Sequence, residues 1–98
     1  MKIVFTLNAW DDLTYWVEND FDQVVKIKEI INSIKATPFK GIGKPEPLRH
    51  QLSGYWSRRI NHEHRIVYEV SGRKNKDQIC TIIQCRFHYK KNITSRKR

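Results

Sequence analysis

The spacing of apolar residues changes at Pro38, and this change restricts the fold more than any other feature of the sequence. Before Pro38, apolar residues recur every three or four positions, which is the period of a helix with one buried face. After it, they recur at every second position in several short runs, which is typical of half-buried strands. The pattern therefore predicts a helical hairpin packed against a sheet.

The N-terminal part predicts one strand followed by a helix. Residues 2–6, KIVFT, are rich in branched and aromatic side chains and favour a strand. Either Thr6 or Asn8 is suited to cap the helix that follows. We expect Asp11 and Asp12 to occupy its first turn, where the helix dipole favours negative charge. Its buried stripe is predicted to consist of Trp10, Leu13 and Val17.

A second helix is predicted between Asp20 and Thr37. Asp20 with Gln23 three positions later resembles a capping box. The helix should end at Thr37, because a residue before proline avoids the α conformation. Its buried face is predicted to hold Val24, Ile27, Ile30, Ile31 and Ile34.

The remaining sequence predicts three strands joined by loops. Residues 39–47 are rich in glycine and proline and predict a loop. Residues 51–60 and 64–70 predict two strands joined by a tight turn at 61–63, which sets Arg59 opposite Arg65. Ile66, Tyr68 and Val70 should then face the core, with Arg65 on the other side.

After a polar loop at residues 71–78, residues 79–89 predict the longest strand. Alternation assigns one face to apolar residues and the opposite face to Gln84, Arg86 and His88. Arg86 and His88 would then project from the same side as Arg59 and Arg65. The apolar face is predicted to contain Thr81, Ile83, Cys85 and Phe87.

The cysteines predict neither a disulfide nor a metal site. Cys80 and Cys85 lie five positions apart in one predicted strand, so they would be about 16 Å apart and point to opposite faces. That separation exceeds what a disulfide can bridge. His62 and His64 alternate in a pattern that can ligate a metal, but no third ligand has suitable spacing. We therefore expect no metal or other cofactor.

The charge of the chain favours a polyanionic partner. The formal net charge is +9, from 19 basic and 10 acidic residues, and nucleic acid is the usual partner of such a chain. Residues 90–98 carry five of the cations and no acid, which leaves +4 for residues 1–89. We expect a single domain over 1–89 and a basic, flexible tail over 90–98.

No apolar run approaches the roughly 18 residues that span a bilayer. The N-terminus contains two acids soon after a short apolar run, so it is not expected to be a signal peptide. These two observations favour a soluble, cytoplasmic protein without a membrane partner.

Three kinds of side chain in the second half are those that RNA cleavage without a metal requires. Glu46 lies between two prolines, which hold its backbone extended, and is a candidate base. Arg59 and Arg65 are candidates to stabilise phosphorane charge, and His88 is a candidate acid. Glu46 as a solvated loop acid remains an alternative. The set as a whole is also compatible with a basic RNA-binding sheet, since many such sheets carry the same residue types. Tyr55 and Trp56 either stack on bases or are half-buried strand aromatics.

At these residues the chain resembles the YoeB-type toxins of the RelE superfamily of bacterial toxin–antitoxin modules. The resemblance runs from Met1 to about Tyr89. It is strongest in TPFKGIGKPEPLRHQLSGYWSRRINHEHRIVY, and AWDD and YW early and CRFHY late support it.

The resemblance implies an α+β fold with two N-terminal helices packed on a twisted antiparallel sheet. It implies a ribosome-dependent mRNA endoribonuclease that cleaves in the A site by 2′-hydroxyl attack and so inhibits translation. A YefM-like antitoxin would neutralise it, and a homodimer is left open. The resemblance assigns Glu46 as general base, Arg65 as stabiliser of transition-state charge, His88 as general acid and Tyr89 as an orienting residue. Substrate-binding positions would be Lys44, Arg49, Arg59 and Arg86.

Two features depart from the family pattern. The chain continues past the HY pair, and the loop at residues 71–78 is longer than usual. In addition, Arg49 stands where a lysine is usual. Two other functions stay open: a non-catalytic toxin of the same fold that binds a target such as gyrase, and a basic RNA-binding module. The complete set of Glu46, Arg65, His88 and Tyr89 favours the nuclease.

Overall fold

Two helices lie against one face of a five-stranded sheet in the computed structural model, which describes residues 1–88. Tyr89 and residues 90–98, for which the sequence predicts an orienting residue and a tail, lie outside the described residues. The elements are β1 Lys2–Phe5, α1 Leu7–Asn19, α2 Phe21–Ala36, β2 Glu46–Pro47, β3 Trp56–Arg59, β4 Arg65–Ser71 and β5 Ile79–Gln84, with a 3₁₀ turn at His50–Leu52.

The strand order is β1-β5-β4-β3-β2. Four of the strands form antiparallel neighbours, whereas β1 pairs in parallel with β5. The predicted α+β class with two helices on the sheet is thus confirmed, and the sheet is mixed because its first strand joins the far edge. Within residues 1–88, no helix is long and apolar enough to cross a membrane.

The start of α1 confirms one prediction and corrects another. Thr6 is the N-cap, and its Oγ1 accepts a hydrogen bond from the Ala9 N–H at 3.1 Å. Asp11 and Asp12 follow the first turn, so the expectation that they occupy it was wrong. Asp12 is instead buried, with 1% of its surface exposed.

The buried stripe predicted for α1 was wrong in two of its three residues. Trp10 is 53% exposed and Val17 is 49% exposed, while Leu13 is partly buried. The face that packs on the sheet consists of Ala9, Asp12 and Trp16. That face has the expected helical spacing, but an aspartate at its centre hides it from a search for apolar residues.

The second helix confirms the predicted bounds and core face. It ends at Ala36 with Thr37 as C-cap, and its buried residues are Ile27, Ile30 and Ile34. Val24 and Ile31 are partly buried against the same core. Asp20 makes no side-chain cap bond to the helix backbone, and its carboxylate accepts a hydrogen bond from Gln23 Nε2 at 3.3 Å instead. The predicted capping box is therefore absent.

The β3–β4 hairpin confirms the predicted pairing. Arg59 lies opposite Arg65, and the Ile60 N–H donates to the His64 carbonyl at 2.9 Å across the turn. Ile66 and Tyr68 are fully buried in the main core, and Val70 packs against it. The strand predicted from residue 51 begins later, because the 3₁₀ turn and a further turn precede β3.

The last strand was predicted too long and with the wrong face buried. β5 ends at Gln84, so β4, with seven residues, is longer. Cys80 and Ile82 face the main core, so the apolar face predicted from Thr81 and Ile83 was wrong, and Ile83 packs with Val67 in a second cluster. A register shift opposite Val67 and Tyr68 then adds one residue at Ile83. Beyond it, Cys85 lies in the main core and Gln84 pairs with Val67 on the side of Arg65, as predicted.

The cysteines are both fully buried in that main core, so the prediction of opposite faces was wrong. The prediction that no disulfide joins them is confirmed. Burial raises the pKa of the Cys80 thiol to about 12, which makes it unreactive at neutral pH.

Candidate active site

Glu46 lies on a two-residue strand rather than in an irregular loop. β2 pairs with β3 so that Glu46 is opposite Ser57 and Pro47 is opposite Trp56. Leu48 continues the pairing, since its N–H donates to the Tyr55 carbonyl at 2.9 Å. The Glu46 side chain is exposed and forms no ion pair with any residue in 1–88. An open, unpaired carboxylate is available to take a proton.

The strand register gives Glu46, Arg59 and Arg65 the same face of the sheet. Ser57 pairs with both Glu46 and Val67, and Arg59 pairs with Arg65. Directly paired residues share a face, as do residues two apart on one strand. Strand spacings put Glu46 about 10 Å across the sheet and about 7 Å along it from Arg65. Two extended side chains of this length can reach a common group between them.

Arg65 is held firmly although it lies at the edge of the site. Its side chain is largely buried, with 8% of the residue exposed. Nη1 donates to the carbonyls of Asn61 at 3.1 Å, His62 at 3.3 Å and His64 at 3.1 Å. Among residues 1–88, Nε and Nη2 have no hydrogen-bond partner, so the opposite edge of the guanidinium is available to bind an anion.

The backbone next to His88 is attached to the start of β4, where Arg65 lies. The Arg65 N–H donates to the Phe87 carbonyl at 3.0 Å, which ties the residue before His88 to the start of β4. His88 itself is exposed. β2, β3 and β4 therefore carry Glu46, Arg59 and Arg65 in that order on one face, and His88 follows the residue whose carbonyl binds the Arg65 N–H. That His88 joins these side chains stays a prediction.

Arg58, next to Arg59, is fully buried and faces the helices. Its Nε donates to the Tyr68 hydroxyl at 3.1 Å, and Nη1 donates to Ser33 Oγ at 2.8 Å. The other donors bind carbonyls of the loop that leads to Glu46: Ile42 at 3.2 Å, and Thr37 and Lys40 at 2.7 Å each.

All five N–H donors of Arg58 thus have acceptors, although none of these is a carboxylate. No role was predicted for Arg58 from the sequence. The signal that could have found its role is alternation: if Arg59 faces the site, Arg58 must face the core.

The loop held by Arg58 is closely packed. Gly41 has φ +115, and a Cβ there would meet Ser33 Oγ. The Tyr68 hydroxyl donates to the Pro38 carbonyl at 2.7 Å. Burial raises the pKa of Tyr68, and the hydrogen bond from Arg58 opposes that shift. The chain before Glu46 is therefore fixed by buried polar groups.

A small apolar cluster supports the face that carries the site. Leu48, Leu52 and Val67 are buried together, and Tyr55 and Ile83 pack against them. Tyr55 is thus a half-buried structural aromatic. Trp56 packs on the main core, and its ring centroid lies 4.8 Å from that of Phe39. The structure accords with the packing interpretation of both aromatics.

The remaining predicted cations divide into two groups. Lys44 and Arg49 are exposed on either side of Glu46 and are available to substrate. Arg86 is not on the same face as Arg59, because its guanidinium carbon lies 3.4 Å from the centroid of the Tyr15 ring of α1. The prediction that Arg86 projects from the same side as Arg59 was wrong, since β5 ends before it; its role as a substrate-binding residue stays a prediction.

The histidines outside the site have structural or solvent positions. His50 and His62 are exposed. His64 Nδ1 accepts a hydrogen bond from the Phe87 N–H at 2.7 Å. The His64 and Trp16 rings form a T-shaped pair with their centroids 4.8 Å apart. Within residues 1–88, no three histidine, cysteine or acidic side chains are grouped so as to hold a metal ion.

Comparison with known proteins identifies the family. The model of the YoeB-like toxin of bacterial type II toxin–antitoxin systems matches residues 5–89. The toxin YoeB of Escherichia coli O6:H1 strain CFT073 is 52% identical over 89 residues, which are 91% of this chain and 100% of that protein.

Solved structures agree with this match. The YoeB/ParE toxin from Agrobacterium tumefaciens has a TM-score of 0.88 and 54% identity over 91% of this chain and all of that one. The YoeB of Staphylococcus aureus, solved as a dimer and in a heterotetrameric YoeB–YefM toxin–antitoxin complex, has TM-scores of 0.80 and 0.79. Each of the two is 44% identical and covers 91% of this chain and 98% of that one. With the family model matching residues 5–89 and relatives about half identical over most of its length, the chain belongs to the YoeB-like toxins of bacterial type II toxin–antitoxin systems.

Proposed function

We propose that this toxin is an endoribonuclease that cleaves mRNA in the A site of the ribosome and so inhibits translation. Family membership supports the toxin role. The observation that carries the nuclease role is the register of β2, β3 and β4, which gives Glu46, Arg59 and Arg65 the same face, while the Arg65 N–H binds the carbonyl of the residue before His88. A binding-only protein has no use for an unpaired carboxylate facing a polyanion, because the two would repel.

The reaction is an internal transfer at phosphorus. Glu46 takes the proton of a 2′-hydroxyl, and that oxygen attacks the adjacent phosphorus atom. The bond from phosphorus to the 5′-oxygen breaks, and His88 donates a proton to the departing oxygen. The products are a 2′,3′-cyclic phosphate and a 5′-hydroxyl. The protein residues supply base, acid and charge, so the proposed reaction is metal-independent.

The cations stabilise charge and hold the RNA. The donor edge of Arg65 faces the phosphorane, where charge develops in the transition state. Arg59 adds a second cation on the same face, while Lys44 and Arg49 bind neighbouring phosphates. Tyr89 is proposed to orient the substrate beside His88.

The proposed partners are the ribosome with its mRNA and a YefM-like antitoxin, all in the cytoplasm. The complex of the Staphylococcus aureus relative with YefM supports the antitoxin. The same relative is solved as a dimer, and we propose that this chain also forms a homodimer. The exposed apolar residues of its helices support that proposal.

Cleavage of mRNA on programmed ribosomes tests the nuclease. Wild type should produce new 5′ ends in the A-site codon, and the antitoxin added first should prevent them. Glu46→Ala and His88→Ala should each lower the single-turnover rate by about 10²–10⁴-fold. Their thermal midpoints should stay near that of wild type, because both side chains are exposed.

Matched controls are Glu29→Ala, an exposed acid on α2, and His62→Ala, an exposed histidine in the β3–β4 turn. Both should cleave like wild type. Full cleavage by the double variant of Glu46 and His88, or none by wild type, would remove the nuclease and leave a toxin or RNA-binding module that acts by binding.

A further inference from the structure

Residues 85–87, directly before His88, lie beyond the end of β5. Side chains form hydrogen bonds with their backbone in place of a neighbouring strand. Asp12 Oδ2 accepts from the Cys85 N–H at 3.1 Å, and Trp16 Nε1 donates to the Cys85 carbonyl at 2.8 Å. These two partners come from α1, whereas Cys85 follows β5. The segment 85–87 is thereby fastened to the helical layer.

Two further side chains hold the rest of the segment. Gln84 Nε2 donates to the carbonyls of Arg86 at 2.8 Å and Phe87 at 3.0 Å. His64 Nδ1 accepts from the Phe87 N–H at 2.7 Å, which places the ring proton on Nε2. Five backbone groups of residues 85–87 therefore have side-chain partners.

These side chains are costly to bury. Asp12 is 1% exposed, Gln84 is 2% exposed and Trp16 is 6% exposed. A buried polar group destabilises a protein unless it is hydrogen-bonded. The bonds to the backbone of residues 85–87 therefore satisfy these buried side chains and fix the segment at the same time. Phe87 also has φ +69, a left-handed conformation that a bulky residue rarely adopts. The chain is turned sharply at the residue directly before His88.

The Arg86 side chain adds a third attachment. Its guanidinium carbon is 3.4 Å from the Tyr15 ring centroid and 4.4 Å from that of Phe87. A cation over an aromatic face is attractive, particularly where water is excluded. The cation expected to bind RNA is thus used to hold the segment against α1.

We propose that Asp12, Trp16, His64 and Gln84 form a clamp that fixes residues 85–87 and thereby gives His88 one orientation. The four are positioning residues for the acid of the proposed reaction, and the inference rests on that proposed function for its catalytic consequence. The orientation of His88 can be measured without any substrate.

His64 offers the sharpest test, because one atom of its ring makes the contact. His64→Leu removes the acceptor, whereas His64→Asn keeps an oxygen near the position of Nδ1. His62→Leu is the matched control, since His62 is exposed and only its carbonyl is used. The measurements are amide exchange at Phe87, NMR order of the His88 ring in the full chain, and kcat and KM for ribosomal cleavage.

The clamp predicts that His64→Leu speeds exchange at Phe87, lowers the order of the His88 ring and reduces kcat by about 10–100-fold at unchanged KM. His64→Asn should recover most of both losses, and His62→Leu should match wild type. A purely structural role would instead lower the thermal midpoint while kcat of the folded fraction stayed the same.

Unchanged order of His88 together with unchanged kcat in folded His64→Leu would overturn the clamp. If that variant does not fold, Gln84→Met, which has similar length and no amide, provides the same comparison. A wild type that orders His88 but cleaves no RNA would disprove the nuclease while upholding the clamp.

Discussion

Two adjacent arginines show how far one position can change the role of a residue. Arg58 points into the core, where it binds three loop carbonyls and two hydroxyls. Arg59 points to the open face and is exposed. The first residue fixes the loop that leads to Glu46, and the second is available to RNA. Stability and substrate binding should therefore separate between them.

We expect Arg58→Met to lower the free energy of unfolding by roughly 3 kcal/mol, because it leaves buried acceptors without a donor. Arg59→Met should change that free energy by less than about 0.5 kcal/mol and weaken RNA binding instead. Urea denaturation and a binding titration with a short RNA measure the two effects. Equal stability of both variants would contradict the assigned role of Arg58.

At the scale of elements, the helical layer has an outer face that is unusually apolar. Leu7, Trp10 and Val17 are exposed on one stripe of α1, and Phe21 and Val25 are exposed one turn apart on α2. Large apolar patches on a protein surface mark interaction sites. This face lies on the helices, whereas the candidate active site lies on the sheet. A second copy bound there would leave the site open.

Sedimentation equilibrium over a range of concentrations should therefore detect a dimer. The double variant Trp10→Ser and Phe21→Ser should weaken dimerisation at least tenfold, because it removes the two largest apolar side chains of the patch. Ile42→Ser is the control, since Ile42 is exposed in the loop near the sheet and not on the helices. A wild type that stays monomeric at all concentrations would refute the homodimer.

For the molecule as a whole, the buried side chains of Cys80 and Tyr68 make stability depend on pH in the alkaline range. Burial raises the pKa of Cys80 from 9.0 to about 12 and raises that of Tyr68 above 10.0. At a pH between the ordinary pKa of each group and its raised pKa in the folded protein, the unfolded chain has released a proton that the folded protein retains. Because the unfolded state then binds fewer protons, stability falls as pH rises.

The free energy of unfolding should decrease from about pH 9 upward, by roughly 1 kcal/mol per pH unit for each such group. Urea denaturation between pH 8 and pH 11 measures the slope. Cys80→Ala should reduce the slope over this range, whatever its effect on stability at pH 8. Identical slopes in the two proteins would show that Cys80 does not titrate in this way.

The sequence predicts those parts that follow from a regular period. Ile27, Ile30 and Ile34 repeat at helical spacing, and Ile66 and Tyr68 alternate, so their burial could be predicted. The burial of Asp12 could not be predicted, because the Cys85 N–H that its carboxylate binds is far away in sequence. That Cys80 and Cys85 share a face depends on a bulge between Ile82 and Gln84, which no local pattern encodes.

For the site, the residue types and the pairing of Arg59 with Arg65 could be predicted from the hairpin. The short strand at Glu46 and the burial of Arg58 depend on contacts between segments far apart in sequence. The direction of the Arg86 side chain was mispredicted for the same reason, since its partner Tyr15 lies on the first helix.

The parallel pairing of β1 with β5 has a consequence for how the protein is made. The Thr6 N–H donates to the Ile82 carbonyl, so β1 cannot be paired before β5 has been synthesised. Contacts of such long sequence separation require the loop-closure entropy to be overcome first, which slows folding. We therefore expect a nascent chain to complete its sheet, and with it the face that carries the candidate site, only after β5 has emerged from the ribosome.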